Sequence, residues 1–145
     1  MSRRHLLDLN VLIPLTDPDH IHYQKAQAWF DLSREGEWGL CPLTESGFVR
    51  VTTNPAYLPR PRTLAQATYI LDDLAKQPGY AYWPIMESWT KVTAPFRSRI
   101  FGHQQITDAY LLGLAIRDGG VLVTFDRGVK HLAGAEYARN LLVLE

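Results

Sequence analysis

A single cysteine, Cys41, stands in the 145 residues, so the chain can close no disulfide on itself and can build no cysteine-rich zinc site. An excess of charge of either sign is equally lacking. Fifteen Lys and Arg balance fifteen Asp and Glu, which leaves a formal charge of zero and no global field to attract a polyanion, so electrostatic action has to be local. Long apolar runs are missing too. The longest stretch free of Asp, Glu, Lys and Arg is the ten residues 77–86, whereas a membrane span takes about twenty apolar residues. Arg3 and Arg4 before an apolar run imitate a secretory leader, but Asp8 lies inside that run and Pro14 interrupts it. The expectation is a cytoplasmic protein. No repeat, low-complexity tract or Gly/Ser linker divides the chain, so residues 1–145 are expected to form one domain.

Short apolar segments alternate with amphipathic ones. Residues 5–9 are too short and too uniformly apolar for an exposed helix and read as a buried strand ending near Asp8. A helix is expected from Asp19 or His20 to about Arg34, burying Ile21, Ala26, Trp29 and Phe30. Residues 38–41 form a second strand halted by Pro42, and Thr44 caps a helix that Asn54-Pro55 ends near Thr52. A proline-rich loop, 55–61, leads to a helix over 63–76 with Leu64, Ala67, Ile70, Leu71 and Leu74 at helical spacing. Residues 80–83 read as a third strand and 86–101 as a helix broken by Pro95. The clearest helix is 107–117, ended by Gly119-Gly120; the β-branched run 121–125 is a central strand and 141–144 a last one. This alternation predicts an α/β fold whose central, mostly parallel sheet has four to five strands and helices on both faces.

Ligands in such folds sit beyond the carboxyl ends of the strands, which makes the positions of four acids informative. Asp8 ends the first strand, Glu45 lies in the first turn after the second, Asp108 opens the helix at Thr107, and Asp126 follows the strand ending at Phe125. Each alone also fits a structural role: a cap for the Asn10 turn, first-turn acids complementing a helix dipole, a turn residue before Arg127-Gly128. Four on one expected edge are harder to explain that way. Asn10 and Thr124, each two residues from an acid, are placed to orient carboxylates or to hold water around a hard cation. His20 and His22 are spaced wrongly to share a helix face and have no third soft ligand, so zinc is not expected.

The ordered set is similar to a known family. Asp8-Leu9-Asn10-Val11-Leu12, Glu45 with Arg50 five residues on, the helix from Thr107-Asp108-Ala109-Tyr110-Leu111 to Ala115, and Thr124-Phe125-Asp126 resemble the PIN-domain nucleases, more narrowly the VapC-type toxins of toxin–antitoxin pairs. The resemblance covers residues 6–130. Many members carry a further acid two residues after the last one, where this chain has Gly128. The resemblance implies a PIN-like fold, a toxin that acts as a metal-dependent endoribonuclease, a small antitoxin partner and a homodimer.

The residues support that chemistry on their own terms. Clustered carboxylates raise one another's pKa unless a cation compensates them, and Mg²⁺ or Mn²⁺ prefer such oxygen ligands. Asp8, Asp108 and Asp126 are therefore assigned as metal ligands, with Glu45 a ligand or the group that positions the water attacking an RNA phosphodiester. Substrate contacts are expected from Arg50, Arg60, Arg62, His103 and Arg127, with Arg97, Arg99 and Lys130 as further cations. A self-associating apolar surface is expected around Trp29-Phe30 and along residues 64–74. Two other readings stand beside this one. A non-catalytic RNA- or protein-binding module of the same fold would keep the acids only to hold an ion. An aspartyl-phosphate phosphatase would want an Asp where Asn10 stands.

Overall fold

A computed structural model describes residues 3–33, 36–84 and 87–145. Its elements in chain order are β1 (His5–Leu7), α1 (Leu9–Leu15), α2 (Tyr23–Leu32), β2 (Trp38–Gly39), α3 (Pro42–Thr52), α4 (Leu64–Leu74), α5 (Trp89–Thr93), α6 (Ile106–Arg117), β3 (Val121–Thr124), α7 (Val129–Ala133) and β4 (Leu141–Val143). A 3-10 helix, Ala94–Arg99, follows α5, and a shorter one, His103–Gln105, leads into α6.

The four strands form one parallel sheet in the order β2-β1-β3-β4. Leu6 pairs with Gly39 on one side and Leu122 on the other, and Leu7 pairs with Val123. Successive residues of a strand point to opposite faces, so these few leucines and valines divide the core in two. Leu6 and Leu122 meet Val92, Phe96, Leu111 and Leu132, from α5, α6, α7 and the 3-10 helix. Leu7 and Val123 meet Val11, Leu12, Ala26 and Phe48, from α1, α2 and α3. Both faces are thus covered by helices. The chain leaves β1 toward β2 and leaves β3 toward β4, in opposite directions along the sheet, so the order reverses between β1 and β3. A crevice at the carboxyl ends of those two strands is the result.

Several local expectations change. Residues 9–15, given no element of their own beyond a turn at Asn10, are helical, because the Asp8 side chain accepts the Leu9 N–H at 2.7 Å and starts a helix at once. Pro14 does not end α1 early; its missing donor falls near the last turn, where the helix closes on Thr16. α2 begins only at Tyr23, and Ile21 is 87% exposed rather than part of the buried stripe. The expected end of that helix at Arg34 and the start of the next segment at Met86 lie outside the described residues. Cys41 rather than Thr44 occupies the N-cap of α3. Thr63 caps α4 as expected, through a reciprocal pair of bonds with Gln66.

Residues 80–83 do not make a full strand. Tyr80 forms an isolated parallel bridge with Trp38, and the N–H groups of Ala81 and Trp83 donate to Trp38 O and Leu40 O. This extended segment packs so closely that a Cβ on Gly39 would stand 1.8 Å from Ala81 O. Gly39 is therefore required by close approach of two backbones. Gly39→Ala is expected to displace residues 80–83 and cost about 3 kcal/mol, in the range of severe overpacking. A urea titration reads this as a lower midpoint at unchanged slope, and an unchanged midpoint would contradict the packing.

Candidate active site

The crevice between β1 and β3 is built on one buried carboxylate. Asp8 is 5% exposed, and an ion so placed is costly unless its oxygens are bonded. Both are. Oδ1 accepts the Leu9 N–H at 2.7 Å, and Oδ2 accepts the Thr124 hydroxyl at 2.8 Å from the neighbouring strand. Thr124 is itself fully buried, and its oxygen accepts the Asn10 side-chain amide at 3.0 Å and the Asp126 N–H at 3.0 Å. Asn10 Oδ1 accepts the Phe125 N–H at 2.9 Å. One threonine hydroxyl thereby ties the end of β1 to the turn after β3. The pairing of Asp8-Leu9-Asn10 with Thr124-Phe125-Asp126 anticipated in the sequence is a hydrogen-bonded unit.

Asp126 leaves that turn exposed to solvent, its Oδ1 accepting the Gly128 N–H at 2.8 Å. Gly128 thus supplies a backbone donor to Asp126. Asp108 comes in from the first turn of α6. Burial first, then the Asp8 and Asp126 carboxylates and a hydrogen bond with Asp126, push Asp108 up to about 7. Burial likewise raises Asp8, against the opposing pull of its bonds from Thr124 and Leu9. Among the described residues no Lys or Arg forms an ion pair with any of the three. Mutual repulsion is therefore relieved by a retained proton.

Glu45 sits in the first turn of α3 as expected, but it is not among the groups that act on Asp8 or Asp108. It lies against Tyr80 and Tyr82. Burial, then the Glu45 carboxylate, push Tyr80 up to about 12 and raise Tyr82 as well. The structure therefore brings three of the four predicted acids together and places the fourth beside two phenols. Those phenols went unnoticed in the sequence, although a strand at 80–83 alongside 38–41 was the signal that would have placed them near Glu45. Nothing in the sequence marks a second neighbour, the His22 ring stacked on Phe125 at 4.7 Å, directly before Asp126.

The cations expected near substrate divide into two groups. Arg62 turns inward, donating to Thr16 O at 2.8 Å and lying over the Phe48 ring, and Arg99 donates to Leu132 O and Ala133 O at 3.0 Å each. Arg97 donates to Thr90 O. These three brace the fold. Arg50, Arg60 and His103 are exposed, and Arg127 and Lys130 stand 4.0 and 2.9 Å from Glu145 near the Asp126 turn. Trp29 and Phe30 are half-buried, their rings edge-on to His5 and Trp38.

Three carboxylates without a basic partner, one holding a proton to near neutrality, form a hard oxygen donor set that suits a divalent ion of the Mg²⁺ class. As placed among the described residues, no group of three or more His, Cys, Asp or Glu side chains could hold a metal ion. Repelling carboxylates that share a proton are not expected to converge further without a cation.

The electrostatics give a sign to stability. Folded Asp108 keeps its proton to about 7, while the unfolded chain releases it near 3.8. The folded state then binds more protons across that window, and stability falls as pH rises through it. In EDTA at pH 8, Asp108→Asn is expected to be more stable than the parent by about 1–2 kcal/mol, after allowance for solvent on the open side of the carboxyl. The gain should fade toward the ordinary carboxylate range. Thermal melts across this range test it, and a variant less stable at pH 8 would contradict the repulsion.

Known proteins resemble this chain over most of its length. The PIN domain family model matches residues 5–135. Ribonuclease VapC38 of Mycobacterium tuberculosis is 43% identical over 128 residues, covering 88% of this chain and 89% of that protein. Ribonuclease VapC44 of the same organism is 39% identical over 126 residues, covering 87% and 88%. Among solved structures, VapBC2 from Rickettsia felis bound to a DNA fragment from their promoter superposes with a TM-score of 0.68 at 14% identity, over 98% of this chain and 99% of that one. FitAcB from Neisseria gonorrhoeae gives 0.59 at 20% identity, over 97% and 96%. At such identities the two structures speak for the fold alone. The family model spans most of the chain and the two Mycobacterium relatives are 39–43% identical over nearly all of it, so the chain belongs to the PIN-domain family, among its VapC-type members.

Proposed function

We propose that this protein is the toxin of a toxin–antitoxin pair, an endoribonuclease that hydrolyses RNA phosphodiester bonds in the presence of Mg²⁺ or Mn²⁺. The observation that carries the reading is the convergence of Asp8, Asp108 and Asp126 without a cation at the sheet's reversal point, in a chain whose curated relatives are named ribonucleases. A bound divalent ion supplies the missing positive charge, acidifies water and offsets charge developing on the phosphodiester.

The chain's own residues have distinct tasks in this reading. Asp8 is the fixed ligand, its two oxygens oriented by Leu9 N–H and the Thr124 hydroxyl. Asp126 would hold the ion from the solvent side and Asp108 from the first turn of α6. Glu45, held beside Tyr80 and Tyr82, is the group that orients the attacking water. Arg127 and Lys130 contact the RNA backbone, with Arg50, Arg60 and His103 farther along it. Arg62 is withdrawn from that role by its bonds to Thr16.

An antitoxin controls the activity by covering the acids, offering a guanidinium to them. The uncovered side chains of Leu64 and Tyr69 on α4, 64% and 71% exposed, support a protein partner on that face and a homodimer. No helix among the described residues is long and apolar enough to cross a membrane, and the protein acts in the cytoplasm as one nuclease domain.

Purified protein is expected to cut total RNA into discrete fragments with Mg²⁺ or Mn²⁺, and to stop in EDTA. Asp8→Asn and Asp126→Asn should reduce cleavage to background. Thr124→Val, which removes only the hydroxyl that orients Asp8, should cost about 10–100-fold, the usual effect of losing a group that holds a metal ligand. Cleavage that survives the aspartate substitutions would refute the assignment. A folded protein that binds RNA and never cuts it would return the molecule to the class of non-catalytic modules.

A further inference from the structure

Three cations, from α2, from the turn after β3 and from α7, converge on one carboxylate. Lys130 Nζ stands 2.9 Å and Arg127 Nε 4.0 Å from Glu145 Oε1, and the Lys25 ammonium on α2 acts on the same group. The hydrogen bond from Lys130 first, then the charges of Lys130, Arg127 and Lys25, hold the Glu145 carboxyl below the usual carboxylate range. All four side chains are exposed.

Backbone bonds fix this cluster against the aspartates. Leu144 N–H donates to Thr124 O at 2.8 Å, which holds Glu145 beside the residue whose hydroxyl orients Asp8. Gly128 N–H donates to Asp126 Oδ1 at 2.8 Å and Lys130 N–H to Arg127 O at 3.1 Å, so the turn that carries both cations is folded onto Asp126. From α2 the His22 ring lies on Phe125, 4.7 Å between centroids and 20° from parallel, and sets the turn that bears Lys25 on the same flank.

Three cations against one carboxylate leave two positive charges in excess here, in a chain whose formal charge is zero. Exposed ion pairs contribute little to stability, so stability does not account for drawing three cations from three places to one anion. Lys and Arg on a surface are the groups that take phosphate oxygens and set the register of a strand. An RNA strand with one phosphodiester at the aspartates has its next phosphate one nucleotide along, on a flank such as this. An acidic protein segment offers the same charge, but only a strand threaded to the aspartates has to pass Asp126.

We propose that Lys25, Arg127 and Lys130 form a phosphate subsite for the RNA strand, which the Glu145 carboxylate fills until a phosphate displaces it. The proposal rests on the ribonuclease reading and adds to it the path of the strand past Asp126, a contact from α2 and an internal competitor for the path. Glu145 marks the place of the anion, and its release leaves the three cations to the substrate.

Anisotropy of a fluorescein-labelled single-stranded RNA, titrated with the full chain in EDTA over a range of salt, reads binding apart from cleavage. Lys25→Ala should weaken binding at least about threefold at low salt and lower the slope of log Kd against log salt by about 0.7, the loss of one phosphate contact on a single strand. Lys25→Arg should keep both. Glu145→Gln should tighten binding about threefold, a gain that vanishes when Lys25→Ala and Lys130→Ala are added. Glu136→Gln removes the same charge from a pair with Arg99 at 3.4 Å, and should leave Kd within about 1.5-fold. An equal gain in Glu136→Gln would reduce the effect to net charge and overturn the subsite. So would an unchanged slope in Lys25→Ala, no binding by the parent, or a polyglutamate peptide that binds as tightly as the RNA with the same dependence on Lys25. A parent that binds as expected and cuts no RNA with Mn²⁺ refutes the ribonuclease reading and upholds the subsite. A parent that cuts RNA while binding is indifferent to Lys25 and Glu145 does the reverse.

Discussion

A carboxylate 5% exposed at the centre of a parallel sheet is the constraint around which this molecule is organised. Burial raises the pKa of Asp8, because an ion there has lost its water. The Leu9 N–H that caps α1 and the Thr124 hydroxyl across the β1–β3 pairing oppose that rise and orient both oxygens. The same hydroxyl receives the Asp126 N–H and the Asn10 amide, so orienting one acid fixes the turn that carries another. Local backbone geometry, strand pairing and the chemistry of the crevice are therefore linked through a single oxygen.

The rest of the site works against stability. Bringing Asp108 in from α6 adds a third carboxyl that keeps its proton to about 7 because burial and two neighbouring acids oppose its ionisation. A fold selected for stability alone would place a Lys or Arg there. In the proposed function that repulsion is what a divalent ion would compensate, by both charge and donor type. The arginines nearest in sequence to the loops do not fill the gap, since Arg62 and Arg99 are bonded to backbone carbonyls elsewhere. Glu45 is kept beside Tyr80 and Tyr82, so one site offers a tightly coupled trio and a separately held fourth acid.

Periodicity was enough to read the parallel sheet, its helices on both faces and the positions of the acids, because buried parallel strands are short and uniformly apolar and helix starts carry polar caps. It fell short where one residue serves two elements. Asp8 ends a strand and caps a helix, so α1 was hidden inside what looked like a continuing apolar run. Residues 80–83 have strand composition but make an isolated bridge to Trp38 and a bond from Trp83 N–H to Leu40 O instead of a full ladder, in close contact with Gly39. Ile21, expected in the core, is exposed because α2 starts two residues later. The roles of the arginines were not legible at all. An arginine that reaches a phosphate and one that reaches Thr16 O look the same in a sequence, and only the fold distinguishes them.

The central claim is that the aspartate trio exchanges a proton for a divalent ion. Calorimetric titration of the metal-free protein with Mn²⁺ at pH 6 and pH 8 addresses it directly, without reference to any substrate. Because Asp108 must lose its proton before it can ligate, binding should be markedly tighter at pH 8, release a proton at pH 6, and vanish in Asp8→Asn. Binding of equal strength at both values, or undiminished in that variant, would contradict the account.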